Sequence, residues 1–297
     1  MPELPEVQTT IDGMNKLLPK LKISNVWTDT ESLFRKGDFK DFRKQVKNKT
    51  ILSVERKGKN ILINLSENKT ILAHLKMTGH LMYGSWIIKN GKALAEGNDP
   101  IGNDPYNRFV RVVFTLSNGK QLALSDTRKF AKLLVWETEK LDELEDIKNI
   151  GMDPFDKNFT YKKFTEIIKN KTAKSSSFKI KPLLLDQSLV AGIGNIYADE
   201  ILWQTGIHPA KEIGKLSDQE IKKIYTTIKP ILKKAIRAGG SSNSDYRDIA
   251  GEKGRFQNMQ NVYRQTGKPC KKRDGGIITK IKIAGRSSHF CPIHQKM

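Results

Sequence analysis

The spacing of apolar residues changes character along this chain. Across residues 2–18, Val7, Ile11, Met14, Leu17 and Leu18 recur near helical spacing, which predicts an amphipathic helix. From about 21 to 135 the pattern shortens. ILSVERKGKNILINL, ILAHLKMTGHLMYG, FVRVVFTL, KQLALSD and KFAKLLVW are β-rich runs broken by turn residues such as Asn118-Gly119. Residues 85–107 interrupt the series, with Gly, Asn, Asp and Pro gathered near their end, and are expected to be a loop or insertion between two strands. The first half thus predicts a β-sandwich with a leading helix.

GMDPF at 151–155 marks a boundary, after which helical patterns occupy 159–170, 182–191, 195–204 and 217–238. The polar stretch TAKSSSFK separates the first two, and Gly239-Gly240 ends the block, as expected past a helix C-terminus. A Gly/Ser/Asp-rich loop runs to about 255, and 260–297 holds short strands and turns too small to have their own apolar core. The fold class is α+β, divided into 1–150, 151–255 and 256–297. No internal repeat is visible.

Charge narrows the function. The 297 residues carry 53 Lys+Arg against 32 Asp+Glu, a formal net charge of +21, and 37% hydrophobic residues support a folded core. A globular chain that basic is drawn to polyanions, and a nucleic acid is the natural partner. The cations are spread: Arg43, Lys44, Lys47, Lys49, Arg56, Lys57 and Lys59 thicken one stretch, and Lys268, Lys271, Lys272 and Arg273 another. The acid-rich ETEKLDELEDIKN is expected to face away from a phosphate backbone. Residues 2–6 do not read as a signal peptide, and no stretch is long and apolar enough to span a membrane, so a cytoplasmic protein is expected. In that compartment the two cysteines, Cys270 and Cys291, point to metal or to thiols rather than to a structural disulfide.

The opening Met1-Pro2-Glu3-Leu4-Pro5-Glu6-Val7 admits two readings. Proline and glutamate are good helix-start residues. Alternatively, once Met1 is removed, Pro2 presents a secondary amine of pKa roughly 8, against about 10 for lysine, able to attack a sugar C1′. Glu3 beside it would then move protons on or off the opening sugar. Farther on, Gly192-Ile193-Gly194-Asn195 joins two apolar helical stretches, either as an ordinary glycine turn or as a helix N-terminus aimed at a phosphate. In the β half, HLKMTG and DTRKF sit at strand ends. Met77 and Phe130 fit a core, the usual fate of such side chains, or else wedges in a base stack, with Arg128 able to bond a base left without its partner.

In order along the chain, PELPEV, HLKMTG, DTRKF, GMDP, LLLDQSLVAGIGNIYADE, the Gly239-Gly240 pair, QNVY and GRSSHFCP resemble the formamidopyrimidine-DNA glycosylases, the Fpg or MutM family of base-excision repair. PELPE rather than PEGPE is similar to the Fpg branch more than to the endonuclease VIII branch. The resemblance implies a β-sandwich, a helix-two-turn-helix domain and a C-terminal β-hairpin finger, with duplex DNA between them and the damaged nucleotide flipped out. It implies Pro2 as nucleophile, Glu3 as acid/base and Glu6 as supporting carboxylate. Lys59, His74, Asn195 and Arg286 would contact phosphates, and Met77, Arg128 and Phe130 would fill the gap left by the flipped base. The segment Ser241–Tyr246 would close over that base, with Tyr246 counted among the DNA contacts. The implied reaction is removal of 8-oxoguanine or a formamidopyrimidine, then β- and δ-elimination at the abasic site, by a monomeric, bacterial, nucleoid-associated protein that needs no cofactor for its chemistry.

One departure stands out. The family's finger carries two CxxC pairs, whereas here Arg273 and His294 replace the second cysteine of each. Cys270, Cys291 and His294 leave three donors where a structural zinc takes four, and neither His289 nor Asp274 completes the set at standard spacing. A finger that holds its hairpin without zinc is therefore expected. The alternative functions are an endonuclease VIII-like glycosylase for oxidised pyrimidines, a non-catalytic binder of damaged DNA, and a basic RNA-binding protein. The last explains the charge but neither PELPEV nor GIGN.

Overall fold

In the computed structural model, which describes residues 1–97 and 100–297, the chain divides into two units, 1–148 with 236–257 and 149–235 with 258–297. The first begins with helix α1 (Leu4–Leu17), whose N-cap is Glu3 and which has Pro5 in its first turn. Leu4, Val7, Ile11 and Met14 form its buried stripe, each almost fully shielded. Strand β1 (Ile23–Thr28) and helix α2 (Phe39–Val46) follow, then β2 (Ile51–Lys57), β3 (Asn60–Leu65), β4 (Lys69–His74) and β5 (His80–Gly84). A hairpin of β6 (Trp86–Lys89) and β7 (Lys92–Ala95) precedes β8 (Val110–Leu116), β9 (Gln121–Ser125), β10 (Lys132–Glu137) and the short α3 (Glu145–Lys148).

Two antiparallel four-stranded sheets, β1-β8-β9-β5 and β10-β4-β3-β2, share one apolar core. Val26, Phe114 and Leu124 from one sheet meet Ile61, Ile71 and Leu133 from the other, with Val7, Ile11 and Met14 of α1 in the same cluster. The sandwich and its leading helix match the sequence expectation. Helix α2 was not foreseen; it buries only Phe42 and Val46, too few to set a period.

Residues 85–107 are also more ordered than expected. The β6–β7 hairpin turns at Asn90 and Gly91, both at positive φ, and seats Trp86 and Ala93 against Met82, Val110, Val113 and Ala123 on the outer face of a sheet. Asn98 and Asp99 of that stretch lie outside the described residues.

The second unit contains α4 (Tyr161–Lys174), α5 (Ile180–Leu185), α6 (Asn195–Thr205), most of α7 (Asp218–Arg237), and the hairpin β11 (Thr279–Ile283) and β12 (Arg286–Phe290). Helix α4 runs through the first three residues of the expected polar loop, and α5 is shorter than its apolar pattern suggested. The first unit's main segment ends at Lys148 and the second unit begins at Asn149. Residues 236–257, however, pack with the first unit, and 258–297 with the helices rather than apart. Hydrogen bonds explain both. Ser241 N–H donates to Glu6 Oε1, Tyr83 N–H to the Ile249 carbonyl, and Arg247 Nε to Asp104. In the second unit the Glu200 carboxylate accepts the backbone N–H groups of Asn261, Val262 and Tyr263.

The first unit also contains a buried titratable group. His80 Nε2–H donates to Asn107 Oδ1 at 3.0 Å, while Asn107 Nδ2 donates to the carbonyls of Ile101 and Gly251. Burial brings the His80 pKa down to about 4. Because the unfolded chain binds the proton first, His80 contributes stability that is complete above about pH 6.5 and is lost as pH falls through 4. The expected loss between pH 7 and pH 4 is about 3 kcal/mol, from roughly 1.36 kcal/mol per pKa unit. Urea unfolding at both values checks it, and His80→Gln should flatten the dependence.

Candidate active site and nucleic-acid interface

The start of α1 is tied by a reciprocal cap. The Glu3 side chain accepts the Glu6 N–H, and Glu3 N–H donates to Glu6 Oε2 at 2.8 Å. Glu6 Oε1 accepts the Ser241 N–H at 2.8 Å, so one buried carboxylate joins the helix start to the segment after α7. Gly240 makes that approach possible: its φ is +79°, and a Cβ there would meet Glu6 Cγ at 2.9 Å and Tyr246 Cε1 at 3.1 Å. The Gly239-Gly240 pair therefore does more than stop a helix.

Pro2, Glu3 and Glu6 are all buried, with Met1 partly exposed in front of them. The Met1 amino group lies within electrostatic reach of Glu3, Glu6, Lys59 and Asp245. Burial pushes it below its ordinary value, the charges of Glu3 and Glu6 oppose that, Lys59 adds to it, and Asp245 opposes it. A lowered amine pKa keeps more of the group unprotonated at neutral pH. Lys59 occupies the two-residue turn between β2 and β3, opened by Gly58 at φ +60°, and the turn is braced on α1 by Arg56 Nε donating to Gln8.

His74 ends β4. Its Nδ1 accepts the Lys76 N–H at 2.9 Å, which leaves Nε2 as the protonated, donating nitrogen of the neutral ring. Burial, then the charges of Lys76 and Lys59, bring its pKa down to about 3. It is thus a neutral N–H donor at physiological pH. The two exposed turns also meet: Arg128 N–H donates to Thr78 Oγ1 at 3.2 Å. Met77 and Phe130 are 39% and 50% exposed, far from core positions, and the Arg128 guanidinium lies 4.5 Å from the Phe130 ring. Two large apolar side chains held in water beside a stacked arginine suit insertion into a base stack.

Tyr246 is placed otherwise than expected. It is 5% exposed and its hydroxyl donates to the Glu6 carbonyl, so it props the helix start from inside. Burial and the Glu6 charge push its phenol well above the ordinary range.

Asn195 and Arg286 belong to the second unit. Asn195 opens α6 behind Gly194, and the preceding turn is braced by Gln187, whose Oε1 accepts the Gly192 N–H and whose Nε2 donates to the Ile193 carbonyl. Arg286 is exposed at the tip of the β11–β12 hairpin, past Ala284 and Gly285, both at positive φ. The hairpin is anchored from beneath. Lys181 Nζ contacts Asp199 Oδ1 at 2.7 Å and the Ser287 carbonyl at 2.7 Å, while Asp199 Oδ2 accepts both the His289 N–H and Nδ1–H at 3.0 Å. Sequence reading missed this network, since nothing in the spacing joins residues 181, 199 and 289.

The finger donors number four. Cys270, Asp274, Cys291 and His294 place one ligand atom each within 4.8 Å of one another. Asp274 completes the set that sequence spacing left at three, because the turn after Cys270 brings its carboxylate 3.4 Å from Cys291 Sγ and 2.7 Å from His294 Nδ1. His294 Nε2 lies 3.0 Å from the Trp203 carbonyl, which can only accept, so Nε2 carries the proton and Nδ1 faces the carboxylate. Two lone-pair atoms face each other at that distance only with a proton or a cation between them. Thiolate, imidazole and carboxylate donors in fourfold number fit a zinc-type ion.

Family models for the formamidopyrimidine-DNA glycosylase N-terminal domain and H2TH domain match residues 1–133 and 150–247. The chain is 39% identical over 297 residues to the formamidopyrimidine-DNA glycosylase of Pelotomaculum thermopropionicum, with 100% of both covered. It is 34% identical over 297 residues to that of Lactiplantibacillus plantarum, again with 100% of both covered. Two solved structures of Lactococcus lactis Fpg, each 33% identical, are similar throughout. The complex with abasic-site DNA has a TM-score of 0.84 over 99% of this chain and 100% of that one, and the complex with oxidised-pyrimidine DNA has 0.83 over 100% of each. No helix among the described residues is long and apolar enough to cross a membrane. The chain belongs to the formamidopyrimidine-DNA glycosylase family.

Proposed function

We propose that the chain is a bifunctional DNA glycosylase and abasic-site lyase of base-excision repair, acting on 8-oxoguanine and formamidopyrimidines in duplex DNA. The observation that carries this reading is the cluster at the start of α1, where buried Pro2 lies next to the buried carboxylates of Glu3 and Glu6, held by their reciprocal cap and by the Ser241 N–H. With Met1 removed, the Pro2 lone pair attacks C1′ of the flipped nucleotide and the bond from C1′ to the base breaks, the base leaving with its electron pair and a proton. Glu3 protonates the ring oxygen as the sugar opens, which gives an iminium between Pro2 and C1′. The iminium acidifies the 2′ proton. Loss of that proton expels the 3′ phosphate, a second elimination expels the 5′ phosphate, and water hydrolyses the imine to free Pro2 and release the unsaturated sugar fragment, leaving a one-nucleotide gap with phosphates on both ends. Amine and carboxyl groups suffice for these steps, so the chemistry calls on no cofactor.

Lys59, His74, Asn195 and Arg286 bind the phosphate backbone in this reading, His74 as a neutral donor. Met77, Arg128 and Phe130 fill the vacated stack. A second substrate class, oxidised pyrimidines, is favoured by one observation: the Lactococcus lactis relative was solved with DNA containing one. Matched duplexes carrying 8-oxoguanine opposite cytosine or thymine glycol opposite adenine separate the two. Faster release of 8-oxoguanine is expected; faster release of thymine glycol overturns the purine assignment.

The finger, in the same reading, holds a structural zinc through Cys270, Asp274, Cys291 and His294, against the zinc-free expectation from spacing. Purified protein is expected to carry one zinc per chain, and Asp274→Ala to bind it at least about tenfold more weakly. Metal-free protein with a fully protected finger on hydrogen exchange would refute this assignment.

A further inference from the structure

The exposed turn bearing Arg128 and Phe130 is built on one buried carboxylate. Asp126 is wholly shielded from solvent; its Oδ2 accepts the N–H groups of Phe130 and Ala131, both at 2.7 Å. Its Oδ1 accepts the Arg128 N–H at 3.2 Å and the Thr78 hydroxyl, and so fastens the Met77 turn to the same anchor. A carboxylate satisfied this fully fixes a turn whose own side chains face water. The next residue points elsewhere. Thr127 is exposed, and its hydroxyl donates to Asp245 Oδ2 at 3.0 Å. Asp245 is buried in the segment whose Ser241 and Tyr246 bond Glu6 at the start of α1. One hydrogen bond, Thr127 to Asp245, therefore joins the turn bearing Arg128 and Phe130 to the segment that is bonded to Glu6.

We propose that Asp126, Thr127 and Asp245 form a positioning relay that couples entry of Arg128 and Phe130 into the duplex to the seating of the N-terminal nucleophile. The relay rests on the glycosylase reading above. It makes attack on a base lesion depend on the duplex gap being filled, whereas an abasic site in single-stranded DNA offers no gap and bypasses it. None of the three residues was singled out for such a role by its sequence position.

Asp126 is too buried to change safely, so the exposed Thr127 hydroxyl is the lever. Thr127→Val keeps the shape and removes the bond; Thr127→Ser keeps the hydroxyl. The assays are release of 8-oxoguanine from a duplex, opposite cytosine, and borohydride trapping on a single-stranded oligonucleotide with one abasic site. Thr127→Val is expected to slow duplex excision about tenfold, in line with losing one hydrogen bond to a charged group, with single-strand trapping within twofold of the unsubstituted protein. Thr127→Ser should restore the duplex rate. Unchanged duplex excision in Thr127→Val, or an equal fall on both substrates, overturns the relay while leaving the glycosylase reading intact. No release of 8-oxoguanine from the duplex by the unsubstituted protein overturns both.

Discussion

Replacing Glu3 by glutamine is expected to slow release of 8-oxoguanine by about 100- to 10,000-fold, the usual range for a positioned acid/base group. Glutamine keeps the side-chain oxygen that accepts the Glu6 N–H, so the cap of α1 survives and stability should change by no more than about 1 kcal/mol. Duplex binding should also hold, since the proposed phosphate contacts are made by other residues. A pre-formed abasic site already spends part of its time as an open aldehyde, so its cleavage should suffer less than base release. Single-turnover kinetics on the two substrates read that difference. A uniform loss, or a protein that no longer folds, would mean that Glu3 acts only as the cap it also is.

The second large effect lies under the finger. Lys181 and Asp199 are fully buried and meet at 2.7 Å, with His289 and the Ser287 carbonyl completing the network. Lys181→Met leaves the Asp199 carboxylate without its cation in a dry site, which is expected to cost about 3–5 kcal/mol. Denaturant unfolding measures that cost, and hydrogen exchange should show β11 and β12 loosening first, because Asp199 holds the His289 backbone and Lys181 the Ser287 carbonyl. Lys181→Met combined with Asp199→Asn should recover part of the loss, since no unpaired charge remains. A cost below about 1 kcal/mol for the single change would show that the pair is not holding the hairpin.

Much of the sandwich was legible because its strands are short β-rich runs that end at strong turns, and α1 because Val7, Ile11 and Met14 keep a strict helical face. The β6–β7 hairpin carried the Asn90-Gly91 signal, but each arm is only four residues long and polar residues crowd its end, so it read as a loop. At the site, the residue types of Pro2, Glu3, Lys59 and His74 were visible in sequence. Their convergence was not, because it is made by sheet register and by the return of residues 241–246 to Glu6. Asp274 illustrates the same limit: a carboxylate four residues past Cys270 matches no standard ligand spacing, yet the turn delivers it. Tyr246 was counted among the DNA contacts through the family resemblance alone, which does not reveal that the Glu6 carbonyl accepts its hydroxyl inside the fold.

The most direct test captures the imine formed between enzyme and sugar. Borohydride reduction during reaction with 8-oxoguanine duplex, followed by peptide mass spectrometry, should place the sugar on the nitrogen of Pro2 in a chain that has lost Met1. Attachment to Lys59 or any other lysine, or equal trapping by protein that retains Met1, would contradict the central claim that the processed terminus is the nucleophile.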